Sequence, residues 1–240
     1  MAKGSQKRSA QPTIRFYDWP YSPFCMKVRA LLDYKGLEYQ AINPLGRARG
    51  LIRRFGKIGK VPAIEIDGER IVDSTDIAYA LEQRFPKPPI LPASKRELGL
   101  CHALEEWADE GLYFIGLYFR WYEREGRAPI AAAFGKSLAG RLAYRFYLRR
   151  ILGQIRAQGT LRKAPDHVRR DLDRHLDAVG ALVESQPFLL GKQPYLCDFA
   201  LWGQLEYLRR TPVGGGAMHH HSALERYLMR MRELTSSPRI

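Results

Sequence analysis

The first third of the chain contains segments in which hydrophobic and polar positions alternate and segments in which they follow a helical period. The remainder follows a helical period throughout. Alternation is typical of half-buried strands, and a period of about 3.6 residues is typical of helices. In the first third the two patterns interleave, and they predict the order β, α, β, α, β, β, α. The strands fall at residues 13–17, 37–42, 61–66 and 70–72, and the helices at residues 22–35, 51–55 and 74–84.

The second part of the chain contains no strand pattern. Four prolines within residues 86–92 indicate a linker. We therefore predict an α/β domain at residues 13–86, a linker at 87–93 and an all-helical domain at 94–240, with residues 1–12 as a disordered basic leader. The helices predicted in the second domain cover residues 94–125, 131–158, 166–184, 198–210 and 222–234.

Composition restricts the class of protein. With 240 residues and 45% hydrophobic content, the chain can bury a substantial core. No apolar run is long enough to span a bilayer, and residues 1–11 are polar and basic, so a secretion signal is not indicated. Cys25, Cys101 and Cys197 are far apart and form no C-x-x-C pair, which argues against a zinc cluster or a disulfide framework. We expect a cytoplasmic protein without a metal.

The net charge of +14 leaves the choice of partner open. Clustered Lys and Arg gain free energy on binding nucleic acid or an anionic surface, because counterions are released. The segments 141–156 and 162–174 are dense in Arg, but no zinc finger or RNA-recognition signature accompanies them. A merely soluble basic surface is favoured. A binding module for an acidic partner, a membrane surface or nucleic acid is the alternative.

The first predicted helix begins at the pair Ser22-Pro23. A serine oxygen at an N-cap accepts a hydrogen bond from an unpaired backbone N–H, and proline suits the first helical position. The Ser22 hydroxyl would lie at the positive end of the helix dipole, where it can stabilise a bound anion such as a thiolate. Taken alone, such a pair is more often only a helix cap.

Two other segments suit an extended ligand. A cis peptide bond before Pro62 would turn the backbone N–H and C=O of Val61 outward, where they can pair with a peptide. Asp73 and Ser74 begin a predicted helix, whose N–H groups can bind a carboxylate while Asp73 holds an ammonium group. The ordinary alternatives are a strand-initial proline and an N-cap Asp73 paired with Asp76.

Together these segments resemble the cytosolic glutathione S-transferase superfamily over about residues 13–234. The resemblance implies an α/β thioredoxin-like N-terminal domain, an all-α C-terminal helical domain and a homodimer. It depends on four local matches, the first of which resembles the serine-type, tau-like signature. They are Ser22-Pro23-Phe24 with Val28-Arg29 and Lys35-Gly36, then Lys60-Val61-Pro62-Ala63, Asp73-Ser74, and residues 194–200.

The resemblance also implies that glutathione is a co-substrate and that Ser22 stabilises its thiolate. A free thiol with a pKa near 8.5 is only about 3% ionised at pH 7, and one hydrogen bond plus a helix dipole can supply the roughly 2.7 kcal/mol that lowers this pKa by two units. The implied glutathione contacts are Val61 and Pro62 for the cysteinyl residue, Asp73 and Ser74 for the γ-glutamyl end, and Lys60 with Arg47 for the glycine carboxylate.

A hydrophobic electrophile would bind beside the sulfur atom, although most aromatic residues of the second domain are expected in its core. The implied pocket residues are Trp19, Tyr21, Tyr113 and Tyr118. Tyr21 is also a rival activator through its phenol. Cys25 is the second alternative, in a glutathione-dependent reductase or peroxidase, although dithiol exchange is disfavoured because Ser22 stands in place of a first cysteine.

Two features depart from the expected pattern. Tyr195 stands where residues 194–200 would usually begin with a Ser or Thr cap, which weakens a capping box with Asp198. Residues 218–221, Met-His-His-His, follow three glycines. Three adjacent histidines do not have the i, i+4 spacing of a helical metal pair, so we expect a loop there, or an incidental nickel-binding tract, in preference to a functional metal site.

Overall fold

The protein was analysed as a computed structural model, which describes residues 12–44 and 60–235. A four-stranded sheet forms the N-terminal part, with strand order β2-β1-β3-β4. Strands β1 and β2 are parallel, and the other neighbours are antiparallel. The strands are β1 Ile14–Tyr17, β2 Gln40–Ile42, β3 Ala63–Ile66 and β4 Glu69–Val72.

Two helices accompany this sheet. Helix α1, Pro23–Tyr34, connects the parallel strands β1 and β2, as the predicted βαβ unit requires. Its fully buried residues include Val28, Leu31 and Leu32, because these positions recur on one helix face. Helix α2, Ser74–Arg84, follows β4. The predicted short helix at residues 51–55 lies outside the described residues.

The C-terminal part is helical, so the predicted fold class is confirmed. Its longest helices are α6, Leu138–Gln158, and α7, Pro165–Glu184, and helix α8, Leu196–Arg209, is almost completely buried. The helices are α3 Lys95–Glu106, α4 Tyr113–Leu117, α5 Arg124–Ala133, α6 Leu138–Gln158, α7 Pro165–Glu184, α8 Leu196–Arg209, α9 Pro212–Met218 and α10 Ser222–Thr235. No helix among the described residues is long and apolar enough to cross a membrane.

The first predicted helix of this part is less regular than its pattern suggested. Instead of one helix over residues 94–125, two π-helical segments, Trp107–Leu112 and Tyr118–Tyr122, interrupt it. A π-helical turn contains one extra residue and rotates the residues after it to another face. The 3.6-residue period of the sequence gives no sign of this change, because aromatic residues in this stretch would occupy several faces of a regular helix.

The histidines were expected in a loop, and residues 219–221 form the turn between helices α9 and α10, whereas the three glycines before them lie within helix α9. Gly214 lies inside helix α9, which Thr211 caps by accepting a hydrogen bond from Gly214 N at 3.0 Å. A Cβ at Gly214 would lie only 2.4 Å from the carbonyl oxygen of Leu208. The glycine therefore permits a close approach of α9 to α8. The histidines follow this helix, and His221 Nδ1 lies 3.9 Å from Asp177 Oδ1.

The capping box that was predicted to be weak at Tyr195 keeps its acidic half, which Asp198 provides. Asp198 Oδ2 accepts a hydrogen bond from Tyr195 N at 2.9 Å, which is the acidic half of a capping box. Asp198 N bonds to the Tyr195 backbone carbonyl instead of to a short hydroxyl. Asp198 Oδ1 also accepts from Leu189 N at 2.9 Å. The buried carboxylate therefore joins the start of α8 to the preceding loop.

The two parts of the molecule share a buried interface between α1 and α8. Gly203 of α8 faces the first turn of α1, where an added Cβ would lie 2.6 Å from the Pro23 carbonyl oxygen. Lys27 of α1 is 1% exposed, and its ammonium contacts Glu105 and, at 2.7 Å, Asp109 Oδ2. Backbone packing and buried charge thus fix α1, and with it the start of α1, against the helical part.

Candidate active site

The register of the sheet brings three separated segments to one end of the N-terminal domain. Tyr17 pairs with Ala63, and Ala63 pairs with Val72. Three segments of the chain therefore lie side by side. They are the segment that follows β1, the segment that precedes β3 and the segment that follows β4. These segments carry Ser22, then Lys60, Val61 and Pro62, then Asp73 and Ser74.

Ser22 is the N-cap of α1, with Pro23 in the first helical turn as predicted. Its backbone is extended, at φ −98° and ψ 122°, and its Oγ accepts a hydrogen bond from Cys25 N at 3.3 Å. The residue is half-buried. A hydroxyl can accept and donate at the same time, so the Ser22 oxygen can cap the helix while its proton turns from the Cys25 sulfur to a ligand.

Two arginines hold the loop before Ser22 in place. Arg29 donates to both carboxylate oxygens of Asp18, with its Nη2 at 2.6 and 2.7 Å. Arg210, from the segment that follows α8, donates to the carbonyl oxygen of Pro20 at 3.1 Å. Sequence reasoning noted Arg29 only as part of a motif and missed Arg210. Since Arg210 is 190 positions from Pro20, no local pattern relates them.

Cys25 is completely buried behind this loop. Its sulfur accepts a hydrogen bond from Trp19 N at 3.4 Å. Burial raises the pKa of the Cys25 thiol to about 12, despite that bond and the neighbouring Ser22 hydroxyl. The thiol is therefore protonated at neutral pH and has no exposed path to a disulfide or peroxide substrate.

The segment before β3 contains the predicted cis peptide bond, between Val61 and Pro62. Pro62 is buried, Val61 is half-buried and Lys60 is exposed. Lys60 therefore presents its ammonium group to solvent near the edge of the sheet. Arg47, which was expected to accompany Lys60, lies outside the described residues.

Asp73 and Ser74 begin α2. Asp73 is the N-cap, and its carboxylate accepts a hydrogen bond from Thr75 N at 2.9 Å. Its backbone has φ 78° and ψ 133°, a region that a residue with a Cβ rarely adopts. Strained backbone of this kind is concentrated where a fold holds a ligand. Ser74 is 5% exposed at the start of the helix.

Three of the four predicted pocket residues lie in two aromatic pairs near the start of α1, and one of these pairs joins the two domains. The rings of Trp19 and Tyr21 are 5.5 Å apart, and Phe24 of α1 contacts Tyr113 of α4 at 4.8 Å. All four rings are partly exposed. Burial raises the pKa of Tyr113, so its phenol stays neutral. Such rings provide an apolar wall with a polar hydroxyl at its edge.

Tyr118 belongs to neither pair, and its assignment to the pocket is corrected. It is 2% exposed, and its ring contacts the buried Phe119 and the exposed Tyr122, with ring centroids at 5.2 and 4.9 Å. The π-helical segments before it and around it change the helix face on which it lies. A regular helical period gives no sign of that shift.

Family comparisons agree with this architecture. The family model for the glutathione S-transferase N-terminal domain matches residues 16–89, and the model for the C-terminal domain matches residues 120–230. The chain belongs to the glutathione S-transferase superfamily. The prediction of a glutathione S-transferase-like enzyme is confirmed at this level, whereas the serine-type class stays a prediction.

Among its relatives in this superfamily is the isoprene-epoxide glutathione S-transferase of Rhodococcus sp. strain AD45. That protein is 25% identical over 221 residues, which cover 88% of this chain and 92% of the relative. The crystal structure of the β-etherase LigF from Sphingobium sp. strain SYK-6 has a TM-score of 0.67 at 20% identity, and the match covers 94% and 96% of the two chains.

A further structural match is a glutathione S-transferase from Methylobacterium radiotolerans, solved in complex with glutathione sulfonate. Its TM-score is 0.60 at 21% identity, over 92% of this chain and 90% of the other. At these identities the solved structures establish the fold. The superfamily assignment supports a glutathione-dependent activity in general terms, while the electrophile and the roles of individual residues are matters of proposal.

Proposed function

We propose that this protein conjugates reduced glutathione to a hydrophobic electrophile, with Ser22 stabilising the glutathione thiolate. One observation carries the proposal: the Ser22 hydroxyl caps α1 at the end of the sheet where the Val61-Pro62 and Asp73-Ser74 segments also meet. A tripeptide bound along these segments would place its sulfur near the N-terminus of α1.

The chemistry follows from the position of the hydroxyl. Ser22 donates to the sulfur, and the N-terminus of α1 adds the favourable end of its dipole. A hydrogen bond to a charged group contributes about 1.5–3 kcal/mol and the dipole about 0.3–1 kcal/mol. Their sum covers the roughly 2.7 kcal/mol needed to lower a thiol pKa by two units. The thiol proton passes to solvent and the thiolate attacks the electrophile. A halide then leaves as the anion, whereas the alkoxide of an opened epoxide takes a proton from solvent.

The remaining contacts are assigned by charge. Asp73 faces the ammonium group of the γ-glutamyl residue, and the N–H groups at the start of α2 face its carboxylate. Val61 pairs with the backbone of the cysteinyl residue. Lys60, exposed beside Val61, neutralises the glycine carboxylate with help from Arg47.

The electrophile binds against the rings of Trp19, Tyr21 and Tyr113. These rings lie in the region between the two domains and border the start of α1. A small epoxide is the first substrate class to test, because the Rhodococcus relative is named for isoprene epoxide. An aryl halide is the second class, since stacking on an aromatic wall favours an aromatic ring.

The first prediction concerns Ser22→Ala. Removal of one hydrogen bond to a thiolate should lower kcat/KM with an aryl halide by about 10- to 100-fold at neutral pH. The pH profile should also move to higher pH, because the bound thiol regains its ordinary pKa. Steady-state kinetics, with calorimetric titration of reduced glutathione, measures both effects.

Two matched variants distinguish the alternatives. Tyr21→Phe keeps the ring and removes the rival phenol, while Cys25→Ala removes the buried thiol. Both should retain the pH profile of the wild type. Loss of activity in Cys25→Ala alone, with a disulfide or hydroperoxide substrate, would replace the proposal with a reductase or peroxidase. Absence of any heat on glutathione titration would instead favour a non-catalytic binding module.

We also propose a homodimer in the cytoplasm. The superfamily resemblance is the reason for the dimer, and three buried free thiols suit a reducing compartment. Light scattering at micromolar concentration tests the first statement. Microscopy of the tagged full-length chain in its native cell tests the second.

A further inference from the structure

Helix α6 has an inner face and an outer face of different character. The inner face buries Ile151 and Ile155 against Trp121 and Tyr207 of the helical core. The outer face has no such partner among the described residues. Three large apolar side chains are nevertheless well exposed to solvent there: Leu138 at 67%, Leu142 at 56% and Phe146 at 71%.

These three side chains form one continuous ridge. They are spaced at i, i+4 and i+8, so they lie one above the other along the helix. Single exposed apolar residues are common on protein surfaces, but a contiguous row of large ones indicates an interaction surface. We call Leu138, Leu142 and Phe146 the apolar ridge.

Arginines lie beside the ridge in a repeating pattern. Each ridge residue is followed three positions later by an arginine, namely Arg141, Arg145 and Arg149. A spacing of three places each arginine on the neighbouring row of the helix surface. Arg150, four positions after Phe146, continues the row of the ridge itself. Basic side chains therefore lie along one side of the ridge and at its C-terminal end.

The charge of this region is of one sign. Residues 126–165 contain nine Lys or Arg and no Asp or Glu, so they account for nine of the 14 net positive charges. The arginines of α6 are Arg141, Arg145, Arg149, Arg150 and Arg156. Their guanidinium groups have no carboxylate partner among the residues that the structure describes.

We propose that the outer face of α6 binds the surface of an anionic lipid bilayer. The apolar ridge enters the boundary between headgroups and acyl chains, and the flanking arginines contact lipid phosphates and carboxylates. At 1.5 Å per residue the helix extends for about 30 Å, so the whole contact lies along one line in the plane of the surface.

The apolar ridge and the arginines beside it fit an anionic bilayer better than they fit nucleic acid or a protein partner. Nucleic acid would use the arginines but would leave Leu142 and Phe146 in water. A protein partner usually offers a mixture of charges, whereas this helix face has only one sign over its full length. A leaflet that contains acidic lipids is uniformly negative and accepts apolar side chains.

The experiment is co-sedimentation of the full chain with vesicles. One set contains phosphatidylcholine and phosphatidylserine in a three-to-one ratio, and the control set contains phosphatidylcholine alone. We expect binding to the first set, weakening as salt is added, and little binding to the second. Each basic side chain near an acidic leaflet contributes about fivefold to the partition coefficient.

Two groups of variants test the two components separately. The triple change Arg141→Gln, Arg145→Gln and Arg149→Gln should reduce the partition coefficient about 100-fold. The double change Leu142→Ser and Phe146→Ser should reduce it at least about tenfold and leave the net charge unaltered.

Matched controls lie elsewhere on the helical surface. Arg96→Gln, Arg170→Gln and Arg226→Gln remove the same charge from exposed positions that have no carboxylate partner in the described part of the chain, and Met229→Ser removes a 53%-exposed apolar side chain. These variants should bind like the wild type. Because all substituted residues are exposed, unchanged circular dichroism and melting temperature should show that each variant folds.

Two results would overturn the proposal. The first is no sedimentation of the wild type with the acidic vesicles. The second is an equal loss of binding in the control triple, which would indicate net charge alone. If the first result is accompanied by dimer formation or RNA binding that Phe146→Ser abolishes, the ridge is assigned to that partner instead. None of these outcomes affects the proposed role of Ser22.

Discussion

The buried ammonium of Lys27 and the exposed guanidinium groups of α6 show two opposite placements of positive charge in one chain. Lys27 is 1% exposed and contacts Glu105, Asp109 and, at 3.2 Å, the hydroxyl of Thr75. Burial opposes its charge, but the two carboxylates outweigh that effect and keep the pKa of Lys27 above its ordinary value. The α6 arginines have water around them and no carboxylate partner among the described residues.

The difference indicates what each charge does. A buried charge must be neutralised within the fold, so Lys27 joins α1 to α3 and to the π-helical segment that contains Asp109. An exposed arginine contributes little to stability and remains available to a partner. The first placement fixes the two domains around the candidate active site, and the second gives the outer surface its capacity to bind anions.

The largest effect is expected at the buried cluster. Lys27→Met leaves the Glu105 and Asp109 carboxylates without a cation in a dry interface, and loss of one partner of a buried ion pair costs about 3–5 kcal/mol. Urea unfolding followed by circular dichroism measures the change in the free energy of unfolding.

The matched control for Lys27→Met removes the whole cluster. Lys27→Met with Glu105→Gln and Asp109→Asn leaves no unpaired charge, so this triple variant should be more stable than Lys27→Met alone. If Lys27→Met unfolds at the urea concentration of the wild type, the cluster does not hold the domains together and the contrast with α6 disappears.

An intermediate effect on the free energy of unfolding is expected at Asp198, a buried carboxylate that has no cation partner among the described residues. Burial raises the pKa of Asp198 to about 6, although Leu189 N, Tyr195 N and the Tyr227 hydroxyl all donate to it. In an unfolded chain this carboxyl titrates near 4. The folded protein therefore holds the proton more tightly, and this contribution to stability is complete below pH 4 and is lost as the pH rises to about 6.

The change attributed to Asp198 is on the order of 3 kcal/mol across that interval. Asp198→Asn cannot ionise, so the difference in unfolding free energy between wild type and variant should change with pH between 4 and 6 and stay constant above 7. Denaturant titrations at a series of pH values measure it. A constant difference from pH 4 to 6 would show that Asp198 titrates normally.

The smallest effect is expected on the outer face of α6. Arg145→Gln removes an exposed charge that has no carboxylate partner among the described residues, and such surface changes are usually nearly neutral for stability. Thermal melting should therefore give the wild-type midpoint within error. A clear drop would mean that Arg145 has a structural role, and it would remove the contrast with Lys27.

Several features of the site could be predicted because they depend on neighbouring residues. Ser22-Pro23 specifies an N-cap through the geometry of one helical turn. The order of the described strands and helices followed from local periodicity. The superfamily motifs then identified the cis bond before Pro62.

Other features depend on contacts between distant segments, and no local pattern encodes those. Tyr113 and Tyr118 are five positions apart in the same aromatic stretch. Tyr113 nevertheless contacts Phe24 of the other domain while Tyr118 is buried in the core, because π-helical segments rotate the helix faces. Arg210 reaches Pro20 only after the chain has folded.

The amino-acid sequence by itself determined the local elements, the helix caps and the superfamily, since these depend on residues a few positions apart or on short motifs. The tertiary structure decided which charges and rings are buried. Burial is a property of the whole packed chain, because the free energy of removing a group from water depends on all the segments that surround it. In the sequence, Lys27 and the α6 arginines are all basic residues on amphipathic helices. Only the packing of those helices shows which of them is buried and which are exposed.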